Sequence, residues 1–172
     1  MIVVPDAGPL IYLGGAGHLD LLRRLYTEVV VPRIVLDEVV VAGAGMTGAD
    51  AVAAAHWLRI EDVAPDPDLL DVLDRGEAAA LPLAARLMAT LLVDDSAARA
   101  IAGARGIRVV GTIGLLLQAK RREYLTAVGP VIAQMERVLA GSVRRRAIPA
   151  AGSLSLGGGE GDGVRLPGGT KV

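Results

Sequence analysis

The chain has 172 residues, 52% of them hydrophobic and 22% charged, with a net charge of −1 and no cysteine. That length suits one domain with a substantial core, and the near-neutral charge gives no global attraction to nucleic acid, so any basic surface is local. Disulfides and thiolate metal sites are excluded, and with only His18 and His56 an imidazole-rich zinc site is excluded too, so metal ligands would be oxygens, suited to magnesium or manganese.

Ile2-Val3-Val4 reads as a short, buried, central strand ending at Asp6. The start lacks the basic region of a signal peptide, and no apolar run reaches membrane-spanning length, so a cytoplasmic protein with no membrane contact is the expectation. Ala7-Gly8-Pro9 marks a tight turn, with Pro9 placed for the first turn of a helix. Leu19, Leu21, Leu22 and Leu25 have helical spacing. Glu28 to Val31 is a second strand, ended by Pro32, and Arg33 to Val41 reads as one helix with Glu38 on the stripe of Ile34. Gly43 to Gly48 is a loop, and Ala49 to Ala55 a short helix. Trp57 to Val63 alternates as a half-exposed edge strand, and Trp57 is a packing residue.

Asp66 to Leu73 reads as a short helix, broken by Asp74-Arg75-Gly76, after which Glu77 opens a long small-residue helix that Pro82 can bend. Thr90 to Val93 is a buried strand running into Asp94-Asp95, and a helix starts at Ser96. Ile107 to Val110 is the last strand, finishing at Gly111-Thr112. Ile113 to Ala119 is helical and ends in Lys120-Arg121-Arg122, and Leu125 to Leu139 is a final amphipathic helix broken by Gly129-Pro130. Strands alternating with helices predict an α/β fold with a mostly parallel sheet over residues 1–140. Residues 141–172, basic and then glycine-rich, read as a mobile tail.

Asp94 and Asp95 stand at the C-terminal end of a strand, where open α/β sheets bind ligands. Two carboxylates ~4 Å apart at an effective dielectric of 20 repel by about 4 kcal/mol, which protons or cations must offset. The chemistry expected there is therefore that of a metal, provided other acids converge. Asp6 is one candidate, though it also reads as a helix cap. Glu38 is another, or a solvated helix acid; Glu77 is a third, or an acid favoured by the helix dipole. His18 and His56 read as surface or capping residues.

The ordered set resembles a PIN domain. Its residues are Asp6 before Pro9-Leu10-Ile11, Glu38 after Val31-Pro32, Gly76-Glu77-Ala78 opening a helix, and Leu92-Val93-Asp94-Asp95 followed by Arg99. More narrowly the chain resembles a bacterial branch related to VapC-type toxins, to which Gly111-Thr112, Gly114-Leu115-Leu116 and Lys120-Arg121 also conform. The resemblance implies a three-layer α/β/α sandwich and Mg2+- or Mn2+-dependent hydrolysis of RNA. It implies Asp6, Glu38, Glu77 and Asp95 as catalytic residues, with Asp6, Glu77, Asp94 and Asp95 toward the metal. Arg99, Thr112, Lys120 and Arg121 are the candidates for substrate contact; Thr112 is otherwise a helix cap and the cations a solvated face. The implied partners are an RNA substrate, a cognate antitoxin and a second copy of the chain. VapC-like starts carry Ser or Thr after the first acid, whereas Ala7-Gly8 stand here. A non-catalytic module binding RNA or protein is the alternative; a phosphoacceptor receiver is disfavoured, because its acid pair follows the first strand.

Overall fold

The computed structural model describes residues 1–42 and 48–147. Five parallel strands form one sheet in the order β3-β2-β1-β4-β5: β1 (Ile2–Pro5), β2 (Glu28–Pro32), β3 (Arg59–Glu61), β4 (Thr90–Leu92) and β5 (Arg108–Val110). The central position of β1 follows from its sequence. Val3 and Val4 are both fully buried, one on each face of the sheet, as expected for a parallel strand covered on both sides. The alternation extends across the sheet, since Val29, Val31 and Leu92 join Val3, while Val30 and Leu91 join Val4.

Two cores result, and they define three layers. On the Val3 face pack α1 (Ala7–Gly15), α2 (Leu21–Leu25), α3 (Arg33–Asp37), α4 (Ala49–Ala53), and further on α7 (Thr112–Arg121) and α8 (Gly129–Ala147). On the Val4 face pack α5 (Arg75–Arg86) and α6 (Ser96–Ala104). The alanines of α5 make this possible: Ala78, Ala80 and Ala84 are fully buried and let the helix backbone approach the sheet. The expected α/β/α sandwich is the one observed. Among the described residues, no helix is long and apolar enough to cross a membrane.

Several boundaries differ from expectation, each for a local reason. The helix expected over 33–41 changes at Glu38 into a π-helical turn, Glu38–Ala42; such turns often sit at functional sites. The helix expected over 66–73 is one 3-10 turn, Pro67–Leu69, capped by Asp66, which accepts from the Asp68 N–H at 3.1 Å. Gly129-Pro130 begins α8 rather than breaking it, since a proline in a first turn forfeits no helical hydrogen bond. The last helix runs to Ala147, beyond the limit expected at 140. Of the loop expected over 43–48 only Gly48 is described, and the glycine-rich stretch after 147 lies outside the described residues.

The edge strand β3 is lined by charge. Arg59 pairs with Glu28 at 2.6 Å and with Glu61, and Glu61 also accepts from Arg86. Charges on an edge discourage pairing with another chain. The packing of α1 on α4 depends on Gly14, where a Cβ would lie 2.8 Å from the Gly48 carbonyl oxygen, and on Gly48 itself. Gly48 has φ +105°, and a Cβ there would lie 2.6 Å from the Ile11 carbonyl oxygen and 2.7 Å from the Gly15 nitrogen. We expect Gly48→Ala to lower stability by about 3 kcal/mol through left-handed strain and the clash, a fall in Tm of roughly 6–12 °C for a chain this size, read by thermal unfolding.

Candidate active site

The strand order reverses at β1, between β1 and β4, and the crevice beyond their carboxyl ends is where such sheets bind ligands. Asp6 follows β1, and its N–H donates to the Leu92 carbonyl at 2.9 Å, extending the β1–β4 ladder by one rung. That rung fixes the Asp6 backbone beside the end of β4. The side chain is buried, with 8% exposure, and Oδ1 has no hydrogen-bond partner. Asp6 stands at the N-cap of α1, but its side chain makes no capping hydrogen bond there. Burial, above all, pushes the Asp6 carboxyl up to about 7, helped by the fields of Asp74, Glu77 and Glu38 and opposed by the Ala7 N–H.

Gly76, in the first turn of α5, is the point where the acids meet. A Cβ there would lie 3.1 Å from Glu38 Oε2, 3.3 Å from Asp6 Oδ1 and 3.2 Å from Val35 Cγ2. Oxygens from β1 and from the π turn thus converge on a backbone that only glycine leaves open. Glu77, also 8% exposed, sits in a reciprocal cap. Its N–H donates to Asp74 Oδ1 at 2.8 Å, while the Asp74 N–H donates to Glu77 Oε2 at 3.2 Å. Burial, then Asp74, Asp95 and Glu38, raise the Glu77 carboxyl above its ordinary range, against the Asp74 N–H. Asp74, which in the sequence looks like part of a helix break, is therefore a member of the cluster. Its signal was present, an Asp three residues ahead of a Glu at a helix start.

The two aspartates after β4 divide the work. Asp95 caps α6, accepting from the Ala98 N–H at 2.9 Å, and its charge reaches Glu77. Asp94 turns toward α7. It accepts from the Thr112 N–H at 2.8 Å and from the Thr112 hydroxyl at 2.5 Å. Thr112 is only 2% exposed, and its hydroxyl donates to Asp94. Arg99 stays near the site: Nη1 reaches the Val93 carbonyl at 3.4 Å and lies over the bare Cα of Gly111, beside Asp94 Oδ1.

Lys120 and Arg121 do not belong to this site. They close α7, a helix that begins at Thr112 and runs ten residues, about 15 Å, away from the strand ends. A cation nearer the acids, which its sequence position does not reveal, is Arg75. Arg75 lines an open groove of about 670 Å3 with Ile34, Asp37, Glu38 and Val41, and this groove continues past Arg33 and Asp62.

The donor set is all oxygen, and one buried carboxylate oxygen has no partner. Both features suit a hard divalent cation with several waters. Among the described residues, no three such side chains stand close enough to enclose an ion as they lie. The reason is local, since Glu77 and Asp95 each hold a helix N-terminus through backbone N–H groups.

The pH dependence follows from Asp6. Its carboxyl titrates near 7 in the fold and near 3.8 outside it, so the folded state holds the proton more tightly. The contribution of Asp6 to stability is then greatest below pH 4 and falls as pH rises through 7, by about 4 kcal/mol in all at 1.36 kcal/mol per unit. Asp6→Asn should raise the Tm of the metal-free protein at pH 8 and leave it nearly unchanged at pH 4, measured by calorimetry in EDTA. Asp94→Ala should instead cost about 1–2 kcal/mol at either pH, by releasing two hydrogen bonds from the start of α7.

A family model described as a PIN domain matches residues 2–144. No curated protein matches the chain. With the five-stranded parallel sheet, helices on both faces and acids at the switch point, this match places the chain in the PIN-domain family, whose fold is of the nuclease type.

Proposed function

We propose that the protein is a Mg2+- or Mn2+-dependent endoribonuclease acting in the cytoplasm as the toxin of a type II toxin–antitoxin pair, in the manner of VapC. Its partners on this reading are an RNA substrate, a cognate antitoxin and a second copy of the chain. The observation that carries it is the buried, unpartnered Oδ1 of Asp6 facing Glu38 across Gly76. A fold tolerates such an oxygen when a ligand completes it.

Asp6, Glu38, Glu77 and Asp95 would hold the ion, with Asp74 adding negative field. A bound ion would offset the charge of the phosphodiester and lower the pKa of water so that hydroxide is available for attack. The chain's own groups do the rest. Burial of Asp6 and Glu77 keeps bulk water from screening their charge. Asp94 fixes the start of α7 and so the wall beside the acids. Arg99 and Arg75 flank the cluster and supply cations for the phosphates on either side of the scissile bond.

The engagement of Glu77 and Asp95 as helix caps favours a second reading, a non-catalytic module that binds RNA or protein. One experiment separates the two. The purified protein is mixed with a mixed-sequence RNA and 5 mM MgCl2, and the products are resolved on a denaturing gel. The expected result is cleavage by the wild type and a loss of at least a hundredfold in Asp6→Asn and in Asp95→Asn, both still folded by circular dichroism. Mg2+ should also raise the wild-type Tm at pH 8 and leave that of Asp6→Asn unmoved. Cleavage at the wild-type rate by both variants would refute the site. Growth arrest on expression, relieved by co-expressing the neighbouring open reading frame, tests the toxin assignment.

A further inference from the structure

The acids gather at one end of the sheet, and a group of cations gathers at the other. Arg23 and Arg24 close α2, Lys120 and Arg121 close α7 with Arg122 as its C-cap, and Arg108 opens β5. All six are exposed. The parallel topology brings them together, because a helix that leaves the C-terminal end of one strand returns to the N-terminal end of the sheet. Two interactions tie them physically. The Arg24 guanidinium lies 4.2 Å from the ring centre of Tyr124, just past α7. The fields of Arg122 and Arg108 both act on the buried Tyr26 hydroxyl, lowering a pKa that burial raises.

These cations lack the partners that others have. Arg33, Arg59, Arg86 and Arg105 are each paired with a carboxylate. Among the described residues, no ion pair involves any of the six. Of the carboxylates at the same end, Glu28 is paired with Arg59, and Asp20 and Glu123 are outnumbered. Arg23 and Arg24 are instead held over aromatic rings, Arg23 at 5.9 Å from Trp57. A guanidinium stacked in that way keeps its N–H edges free for phosphate. The chain as a whole is charge-neutral to within one unit, yet among the described residues these six cations stand apart from the acid cluster.

We propose that this basic end is a second RNA-binding surface, which grips the phosphate backbone of a single strand well away from the acids. The inference rests on the reading that RNA is the substrate. With α7 about 15 Å long, only a strand of several nucleotides reaches from one end to the other. The surface carries no base information, since it meets only backbone. Its contribution is reach: long RNAs are held and short ones are not.

The test uses the full chain in EDTA, with a fluorescently labelled 20-nucleotide RNA and anisotropy read across 50–200 mM KCl. Reversing charge in K120E/R121E/R122E should raise Kd at least tenfold at 100 mM salt. It should also flatten the slope of log K against log salt by about 2, at ~0.7 for each single-strand phosphate that is no longer neutralised. R23Q/R24Q, on a different helix, should give a smaller change in the same direction and guards against a local effect on α7. Arg144, Arg145 and Arg146 are present in every protein compared, so the differences read the basic end alone. With Mg2+, the rise in KM should grow with RNA length, at least tenfold on the 20-mer and under twofold on a tetranucleotide. An unchanged slope and Kd in both variants overturns the proposal, as does an equal loss on long and short RNA. Self-association of the wild type at low salt, abolished in the variants while RNA binding persists, overturns it in favour of head-to-tail association between copies. Salt-sensitive binding that disappears in the variants upholds the proposal even where no RNA is cut. Cleavage with an unaltered slope refutes it and leaves the nuclease reading standing.

Discussion

The burial of Asp6 is the constraint on which this structure turns. The residue is fixed by the ladder, its N–H donating to Leu92, so it cannot withdraw from the end of β1. The Gly76 backbone lies against it, and its buried Oδ1 is left without a partner. The protein thereby carries an electrostatic cost at the centre of its sheet, made larger by Asp74, Glu77 and Glu38. Such a cost is tolerated in a fold whose net stability is only about 5–15 kcal/mol because the two hydrophobic cores on either face are extensive. A group in that position gains most from a proton or a cation, and either would change the stability of the whole domain through one side chain.

The secondary structure that positions the acids was largely legible. The β-branched runs of β1 and β2 and the apolar run into Asp94 read as buried strands because they are buried on both faces. The alternation around Arg59 read as an edge because β3 is one. The geometry of the cluster was less legible, for two physical reasons. Glu38 projects from a π turn, and nothing in a 3.6-residue periodicity announces the extra residue. Asp74 and Glu77 bond each other's backbone, and the Gly76 between them reads as a breaker when the local rule is applied without its cap. The division of Asp94 and Asp95 was unreadable from spacing alone. In the structure each serves a different helix start, Asp94 that of α7 and Asp95 that of α6.

The basic residues teach the complementary lesson. Lys120 and Arg121 lie close in sequence to Thr112, and sequence proximity associated them with the acids. A helix of ten residues carries them to the other end of the molecule. Parallel α/β architecture sorts residues by whether they follow a strand or follow a helix. Acids after strands and cations after helices are therefore driven apart, however near they stand in the chain. The same sorting places Arg99, one turn into α6, back over Gly111 and the acid end.

The reciprocal cap at the head of α5 has an evolutionary consequence. Glu77 and Asp74 are structural and acidic at once, so replacing either forfeits a helix start. The Asp6 side chain makes no such capping hydrogen bond. A gene copy released from selection for chemistry would lose Asp6 early, because the substitution relieves repulsion, and would keep the Asp74–Glu77 pair long afterwards. Descendants of this domain that retain the pair but not the first aspartate would be recognisable as fossils of the activity, preserved by helix nucleation alone.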